Sequence, residues 1–376
     1  MKVLVVLGIP PLVEGQAQGR TSIGLVRGLQ ANGLDVRVIA ARRPEAPPGE
    51  PPEDLPVTVV DVPPRPRGWR TRVELVTHPF GALAEGPFAE HVVEASRSVD
   101  VVHLEEVSTA PLARHLDRPP LVHLHYLVRR DRSLPPPWRK DALYYSEVVR
   151  AEGRAARSTP FLAASSPIVG MALQRMAPRA SVTLAPLSLD PSDYEPSTYD
   201  GPPVAGLIGS ASWPPTRSAI ERLLGAVWPL VVARVPDATL KIAGRGLTEL
   251  GLEERPGVQL LGEVDRSVTF LNGLSFLLYP VRRGSGMKVK VMEALACGVP
   301  VVTTPDGAEG IAPHDGIVVE SEDDRLAGAA AELLADPVAA RERGAAARRF
   351  FLERLAPEPA TRPLLDTYRR MLEGER

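Results

Sequence analysis

Residues 3–7 form an uninterrupted aliphatic run, and residues 20–32 follow with Ile23, Val26 and Leu29 at helical spacing before Gly33 stops the pattern. The alternation continues, with short aliphatic runs at 36–40, 57–60, 101–104 and 121–125 that read as strands. The runs are predominantly aliphatic, broken only by Arg37, Thr58, His103, His123 and His125. Both faces are therefore covered, as in a parallel sheet flanked by helices. Stretches rich in proline and arginine at 42–56 and 63–69 read as loops, and a basic, proline-studded segment occupies 128–140.

Residues 194–203 have the Pro/Ser/Asp/Tyr/Gly composition of a linker, and a second series starts with a strand at 204–208. Ile220, Leu223, Leu224, Val227, Leu230 and Val231 make one apolar helical face. Further strands are predicted at 240–243, 258–261, 276–279 and 299–303, and helices at 288–296, 326–354 and 361–372. The pattern predicts an α/β chain of two facing, Rossmann-like, doubly wound domains. The first covers 1–198, completed by the C-terminal helix 356–376, and the second covers 199–355. Ligands in such sheets sit outside the carboxyl ends of the strands.

Composition narrows the classes. A length of 376 residues suits two domains, and a net charge of -2 gives no basic field for nucleic acid. The single cysteine, Cys297, excludes a disulfide framework and a cysteine-rich metal site, and fits a reducing cytoplasm. No apolar run approaches the ~20 residues that span a bilayer, and the first run ends at Pro10-Pro11, too short for a secretory signal. A soluble cytoplasmic protein is expected. Of the 44 basic residues only Lys2, Lys140, Lys241, Lys288 and Lys290 are lysines, so two lysines close together stand out.

The stretch from Tyr279 to Val302 holds them. It reads as strand, small-residue turn, helix, turn and strand. Gly284-Ser285-Gly286 lets the backbone turn sharply and approach a ligand. Amides at the start of the following helix, with its dipole, make an anion site, and Arg283, Lys288 and Lys290 add charge beside it. Glu293 stands seven residues past Gly286, about two turns along, where a carboxylate accepts hydrogen bonds from sugar hydroxyls while phosphates sit at the helix start. Spacing alone is equally compatible with a solvated basic face and a Glu paired with Lys.

Glu293 to Val302, a Glu-Ala-Leu-Ala-x-Gly-x-Pro-Val-Val run, resembles the nucleotide-sugar site of GT-B glycosyltransferases, in particular the large GT4-like group. Gly209-Ser210, Trp213-Pro214-Pro215, Pro236-Asp237-Ala238, Gly257-Val258 and Gly307-Ala308-Glu309-Gly310-Ile311 extend the resemblance over most of the second half. The first half matches in layout only. The resemblance implies that Glu293 binds the nucleotide ribose, and that Gly209, Ser285, Gly286, Met287, Lys288 and Lys290 meet the diphosphate or donor sugar. Two departures matter. Ser285 stands where many members carry a second Glu, and Ser210 follows Gly209 where many carry basic residues. Arg283, Lys288 or Lys290 is therefore expected to neutralise the leaving diphosphate, and Glu309 to supply part of what Ser285 lacks.

In the first half, Gly15 and Gly19 lie in the loop after the first strand, which by layout resembles the family's loop facing the donor phosphate. No Gly-x-Gly-x-x-Gly follows that strand, which argues against a dehydrogenase. His123 and His125 share one strand face, and His125 matches the family's histidine near the donor sugar. His103 is similarly placed one strand earlier. A core role for these imidazoles is the alternative. No His/Asp/Glu spacing suggests a metal. Trp138 with Arg129, Arg130, Arg132, Arg139 and Lys140 could rest on lipid headgroups, although a solvated loop explains them more simply. The expectation is a metal-independent, retaining glycosyltransferase. Its donor is a UDP- or GDP-sugar and its acceptor an unidentified glycan, lipid-linked or small molecule. A nucleotide-sugar epimerase of the same fold and a non-catalytic nucleotide-sugar binder are the alternatives.

Overall fold

The computed structural model describes residues 1–374 apart from 15, 45, 47, 65–79, 137 and 252–254. Gly15 and residues 65–69 of the second loop thus lie outside the described residues. The chain forms two compact units, Met1–Asp190 with Ala356–Arg376, and Pro191–Leu355.

The first unit has seven parallel strands: β1 Lys2–Leu7, β2 Asp35–Arg42, β3 Val57–Asp61, β4 Val101–Glu105, β5 Leu121–Leu124, β6 Phe161–Ala164 and β7 Ser181–Leu184. Their order is β3-β2-β1-β4-β5-β6-β7. The second unit has β8 Val204–Ile208, β9 Thr239–Ala243, β10 Val258–Gly262, β11 Phe276–Tyr279, β12 Val301–Thr303 and β13 Ile317–Val319, in the order β10-β9-β8-β11-β12-β13. Each order runs outward from a central strand in both directions, which is the doubly wound arrangement. The central strands are fully covered: Val3 to Val6 and Leu277 to Leu278 have no exposed surface, as continuous aliphatic runs require. Leu4 and Val6 enter one core, Val3, Val5 and Leu7 the other, so β1 divides the interior of its unit into two layers.

Two details refine the sequence expectations. The change of unit falls at Asp190/Pro191 rather than at 198/199. Residues 191–198 are held by the second unit, where the Ser197 amide donates to the Cys297 carbonyl at 2.7 Å and Tyr194 is buried. The helix expected over 326–354 is two helices, Asp323–Ala335 and Pro337–Arg354. Pro337 cannot continue a helix but suits the first turn of a new one, and Asp336 caps that turn through the Val338 and Ala339 amides.

The last helix, Pro357–Glu373, returns to the first unit. Gly28 presents no Cβ where the Pro357 carbonyl lies against it, and Asn32 Nδ2 donates to the Glu358 carbonyl and Thr361 Oγ1 at 2.9 and 3.0 Å. Leu364 and Tyr368 are buried in the core beneath β1. No helix among the described residues is long and apolar enough to cross a membrane.

Candidate functional site

In the second unit, the sheet order reverses between β8 and β11, and chemistry gathers outside the carboxyl ends of those strands. Gly209 follows β8 with φ +152, a conformation that favours glycine. Lys290 Nζ occupies the space a Cβ would take there. The ammonium donates to Thr216 Oγ1 at 2.5 Å and lies 4.7 Å from the centre of the Tyr279 ring. The residue keeps some exposed surface, but desolvation of the ammonium lowers its pKa to about 8 in spite of the nearby Glu293 carboxylate.

The turn after β11 brings Ser285, Gly286, Met287 and Lys288 together, all buried, with Gly286 at φ +73. Lys288 Nζ donates to the Gly286 carbonyl at 2.6 Å and stands 3.9 Å from Glu309 Oε2, which arrives from the loop after β12. Lys288 is the N-cap residue of the helix Val289–Ala296, and its side chain makes no capping hydrogen bond. Because the helix begins at Val289, Glu293 is one turn in rather than two. Its Oε1 accepts from Ser267 Oγ at 3.0 Å and Tyr194 Oη at 3.2 Å, and the residue is buried. Arg283, in the same turn, is exposed. Gly209, Ser285, Gly286, Met287, Lys288, Lys290, Glu293 and Glu309 thus share one end of one sheet. Thr216, Ser267 and Tyr194 complete it, and no local motif marked them.

The first unit carries a second group at the same end of its own sheet. Parallel register sets Glu105 of β4 beside His123 of β5. His103 Nε2 and His123 Nδ1 donate to Glu105 Oε1 at 2.8 and 2.9 Å, and Tyr368 Oη donates to His103 Nδ1 at 2.6 Å. His125, just past β5, has Nε2 2.8 Å from Glu105 Oε2, off the line of a hydrogen bond, and Nδ1 2.7 Å from Glu106 Oε1. Burial opposes ionisation of Glu105, but His125, His123 and the bonds from His103 and His123 outweigh it and hold the carboxyl well below its usual range. Burial likewise opposes charge on His125, and Glu106 and Glu105 outweigh it, raising this imidazole well above its ordinary value. His123 is lowered, chiefly by burial. His103, Glu105 and His123 bring ligand-type atoms within 4.8 Å of one another, a grouping that no spacing along the chain disclosed.

The two remaining sequence candidates resolve differently. Gly19 lies inside the helix Ala17–Ala31, where an added Cβ would stand 2.7 and 2.8 Å from the Leu12 carbonyl oxygen and amide nitrogen, so its described contacts are packing contacts. In the basic loop Trp138 is 83% exposed, but Arg129 pairs with Glu152 at 2.7 Å, and Arg132 and Arg139 pair with Asp141 at 3.2 and 3.0 Å.

Two Rossmann-like units with this strand order define the GT-B class of glycosyltransferases, and solved structures agree. A sucrose-phosphate synthase from Thermosynechococcus elongatus superposes with a TM-score of 0.71 at 17% identity, covering 100% of both chains. Anabaena HepE in complex with UDP and glucose gives 0.63 at 16%, over 97% of this chain and 98% of that one. The glycosyltransferase WaaG, involved in lipopolysaccharide biosynthesis, gives 0.60 at 14% over 100% of both. The model of the glycosyl transferase 4-like domain matches residues 17–187, and that of glycosyl transferases group 1 matches residues 202–336. The chain belongs to this GT4-like glycosyltransferase family. A curated relative, the GDP-mannose-dependent monoacylated alpha-(1-6)-phosphatidylinositol monomannoside mannosyltransferase of Corynebacterium glutamicum, is 36% identical over 148 residues. That match covers 35% of this chain and 39% of the relative, about two fifths of its length.

Proposed function

We propose that the protein transfers a hexose-type sugar from a nucleoside diphosphate sugar to an acceptor hydroxyl, with retention of anomeric configuration and without a metal ion. One observation carries the reading: Lys290 and Lys288 stand at the start of the Val289–Ala296 helix, where the N-cap side chain makes no capping hydrogen bond, with Glu293 one turn in and the glycine after β8 alongside. A diphosphate docked there meets two ammonium groups and backbone amides. These supply, in a desolvated setting, the positive charge that a leaving diphosphate needs. Glu293 accepts the ribose hydroxyls, as the resemblance implies, with Ser267 and Tyr194 fixing its carboxylate. Ser285, Met287 and Glu309 face the donor sugar, while Arg283 supplies longer-range attraction from its exposed position.

The first unit, residues 1–190 with 356–376, takes the acceptor, which is a glycan, a lipid-linked sugar or a small molecule. The pairing of its basic loop with Asp141 and Glu152 favours a solvated surface over a lipid contact. The single buried Cys297 suits work in the cytoplasm. The relative's GDP-mannose and the UDP held by HepE make these the donors to try first.

Calorimetric titration with UDP, GDP and ADP in the presence of a chelator tests the donor site and its independence of metal. At least one nucleotide should bind, and Glu293→Gln should weaken it. Binding to none of the three ends the assignment. Incubating donor alone separates transfer from epimerisation by the absence of an isomer. Release of nucleoside diphosphate with an acceptor panel separates transfer from binding alone.

A further inference from the structure

Among the described residues four Tyr, Trp and Phe side chains are exposed, and three of them, Tyr126, Trp138 and Tyr144, fall within one short stretch of the first unit. Leu134 lies among them at 71% exposure, and Trp138 is the most exposed large apolar side chain described. Scattered apolar residues are ordinary on a protein surface, but a group of them marks a place of contact. Local structure explains why these rings stand out. Tyr126 follows His125 at the carboxyl end of β5. In the helix Lys140–Ala155, Tyr145 and Val148 turn inward onto Val128 and leave Tyr144, one position earlier, half exposed. The loop between carries Leu134 and Trp138 and is tied at both ends to one carboxylate: Arg132 Nη2 and Arg139 Nε donate to Asp141 at 3.2 and 3.0 Å. Pro135 and Pro136 each fix a φ in this loop, and the Arg139 amide closes a turn on the Pro136 carbonyl at 3.0 Å. Trp138 is therefore presented on a braced loop, which lowers the ordering cost of a contact.

Charge decides among occupants. Arg129 is matched to Glu152, and Arg132 and Arg139 to Asp141, so these guanidinium groups are not offered to a phosphate or an anionic headgroup. Burial, and then Glu106, Tyr144, Asp131 and Glu152, raise the Tyr126 phenol above its ordinary range, so an anion beside it meets carboxylates. A neutral partner suits both observations. A pyranose ring has an apolar face of C–H groups that packs on the negative face of an aromatic ring, and a rim of hydroxyls that both donate and accept. The Arg139–Asp141 fork beside Trp138 supplies donors and acceptors of that kind.

We propose that Tyr126, Trp138 and Tyr144 form a stacking platform on the first unit for a neutral oligosaccharide, the glycan that accepts the transferred sugar. The proposal rests on the glycosyl-transfer reading above and narrows its acceptor to a glycan. Trp138 holds a sugar unit and selects for it, touching no reacting atom. Asp141 positions the loop, and its two arginines keep Trp138 in place for stacking.

The test needs no donor. The full-length protein is labelled with fluorotryptophan, and fluorine NMR follows its four tryptophans while mannotetraose, maltotetraose and cellotetraose are added in turn. The Trp138 signal is the one lost in Trp138→Tyr. At least one tetrasaccharide should move it. By calorimetry Trp138→Ala should weaken that sugar about tenfold or more, the scale of a lost aromatic anchor, Trp138→Tyr should restore most of the affinity, and Asp141→Asn should weaken it by a smaller factor. With the same sugar as acceptor, Trp138→Ala should raise the acceptor KM and leave kcat within about twofold, the pattern of lost binding without lost chemistry. Removing so exposed a side chain leaves the fold in place, which an unchanged thermal midpoint verifies. No movement of the Trp138 signal with any of the three sugars overturns the platform, as does an affinity that Trp138→Ala leaves unchanged. A signal that answers to phosphatidylglycerol vesicles instead overturns it in favour of a lipid surface. Sugar binding by a protein that binds neither UDP nor GDP overturns the acceptor role, and nucleotide calorimetry on the wild type alone reveals that case.

Discussion

Lys290 offers the sharpest test of the donor site, because its own titration leaves a signature on binding. Its ammonium is desolvated against Gly209 and Tyr279 and has a pKa of about 8. Only the charged form attracts a diphosphate. With that pKa, about nine molecules in ten carry the charge at pH 7 and about one in ten at pH 9. Affinity for UDP or GDP should therefore fall roughly tenfold over that interval, about 1.4 kcal/mol. Binding should also take up a proton near pH 8, since the diphosphate raises the pKa it meets. Lys290→Met keeps the length of the side chain and loses the charge. At pH 7 it should weaken nucleotide binding by about 1.5–3 kcal/mol, the range for a charged hydrogen bond, and its affinity should no longer follow pH between 7 and 9. Calorimetry in buffers of different ionisation heat reads both quantities. If wild type and Lys290→Met share the same pH slope, or the variant binds as tightly at pH 7, then Lys290 is a packing residue and the diphosphate lies elsewhere.

Glu293→Gln should cost nucleotide binding at least tenfold, because the amide keeps the bonds from Ser267 and Tyr194 but loses the ionised acceptor; unchanged titration curves would remove the ribose assignment. Gly19→Ala should destabilise the first unit by roughly 1–3 kcal/mol, since its Cβ would press on the Leu12 backbone at 2.7 and 2.8 Å, and an unaltered thermal midpoint would contradict that. The buried ion cluster sets two pH limits on stability. Glu105, held below its ordinary value of 4.5, contributes fully above that pH, and its contribution is lost as pH falls through the folded value. His125, raised above 6.5, contributes fully below that pH, and its contribution is lost as pH climbs through its folded value. Thermal midpoints should thus fall at both ends, and Glu105→Gln should lower the plateau by about 3–5 kcal/mol, the cost of breaking a buried pair; a variant with the wild-type profile would show that the cluster adds nothing.

Sequence pattern revealed the sheets more readily than the groups they assemble. Runs such as 204–208 and 276–279 are apolar throughout because both faces are buried, and β8 and β11 occupy those residues. β6, Phe161–Ala164, and β7, Ser181–Leu184, escaped notice because one is short and alanine-rich and the other has polar residues on a partly exposed edge. β13, Ile317–Val319, is a three-residue edge strand with no pattern to read. In the second unit, Glu293, Lys288 and Lys290 were legible because one loop and one helix carry them. Tyr194 and Ser267 were not, since they reach Glu293 from 99 and 26 residues away. The cluster in the first unit was half legible. Alternate spacing joined His123 to His125, but only the parallel register of β4 and β5 sets Glu105 between them, and Tyr368 arrives across 265 residues.

Register also bears on why the departures from the family pattern need not disable the site. Neighbouring strands lie only about 4.8 Å apart, so loops that follow adjacent strands open onto the same few ångströms of space. A charge missing from one loop can then be carried by the next. The basic residues absent after β8 leave room at Gly209 and Ser210, and that room is filled by Lys290 from the helix after β11. On the proposed reading, the carboxylate absent at Ser285 has its counterpart in Glu309, from the loop after β12, 3.9 Å from the Lys288 ammonium. Such exchanges preserve the charge presented to a ligand while changing the residue that presents it. A search for the family's acidic pair by position alone would pass over this site, whereas the proposed donor site counts the cations and carboxylates at the ends of β8, β11 and β12 together.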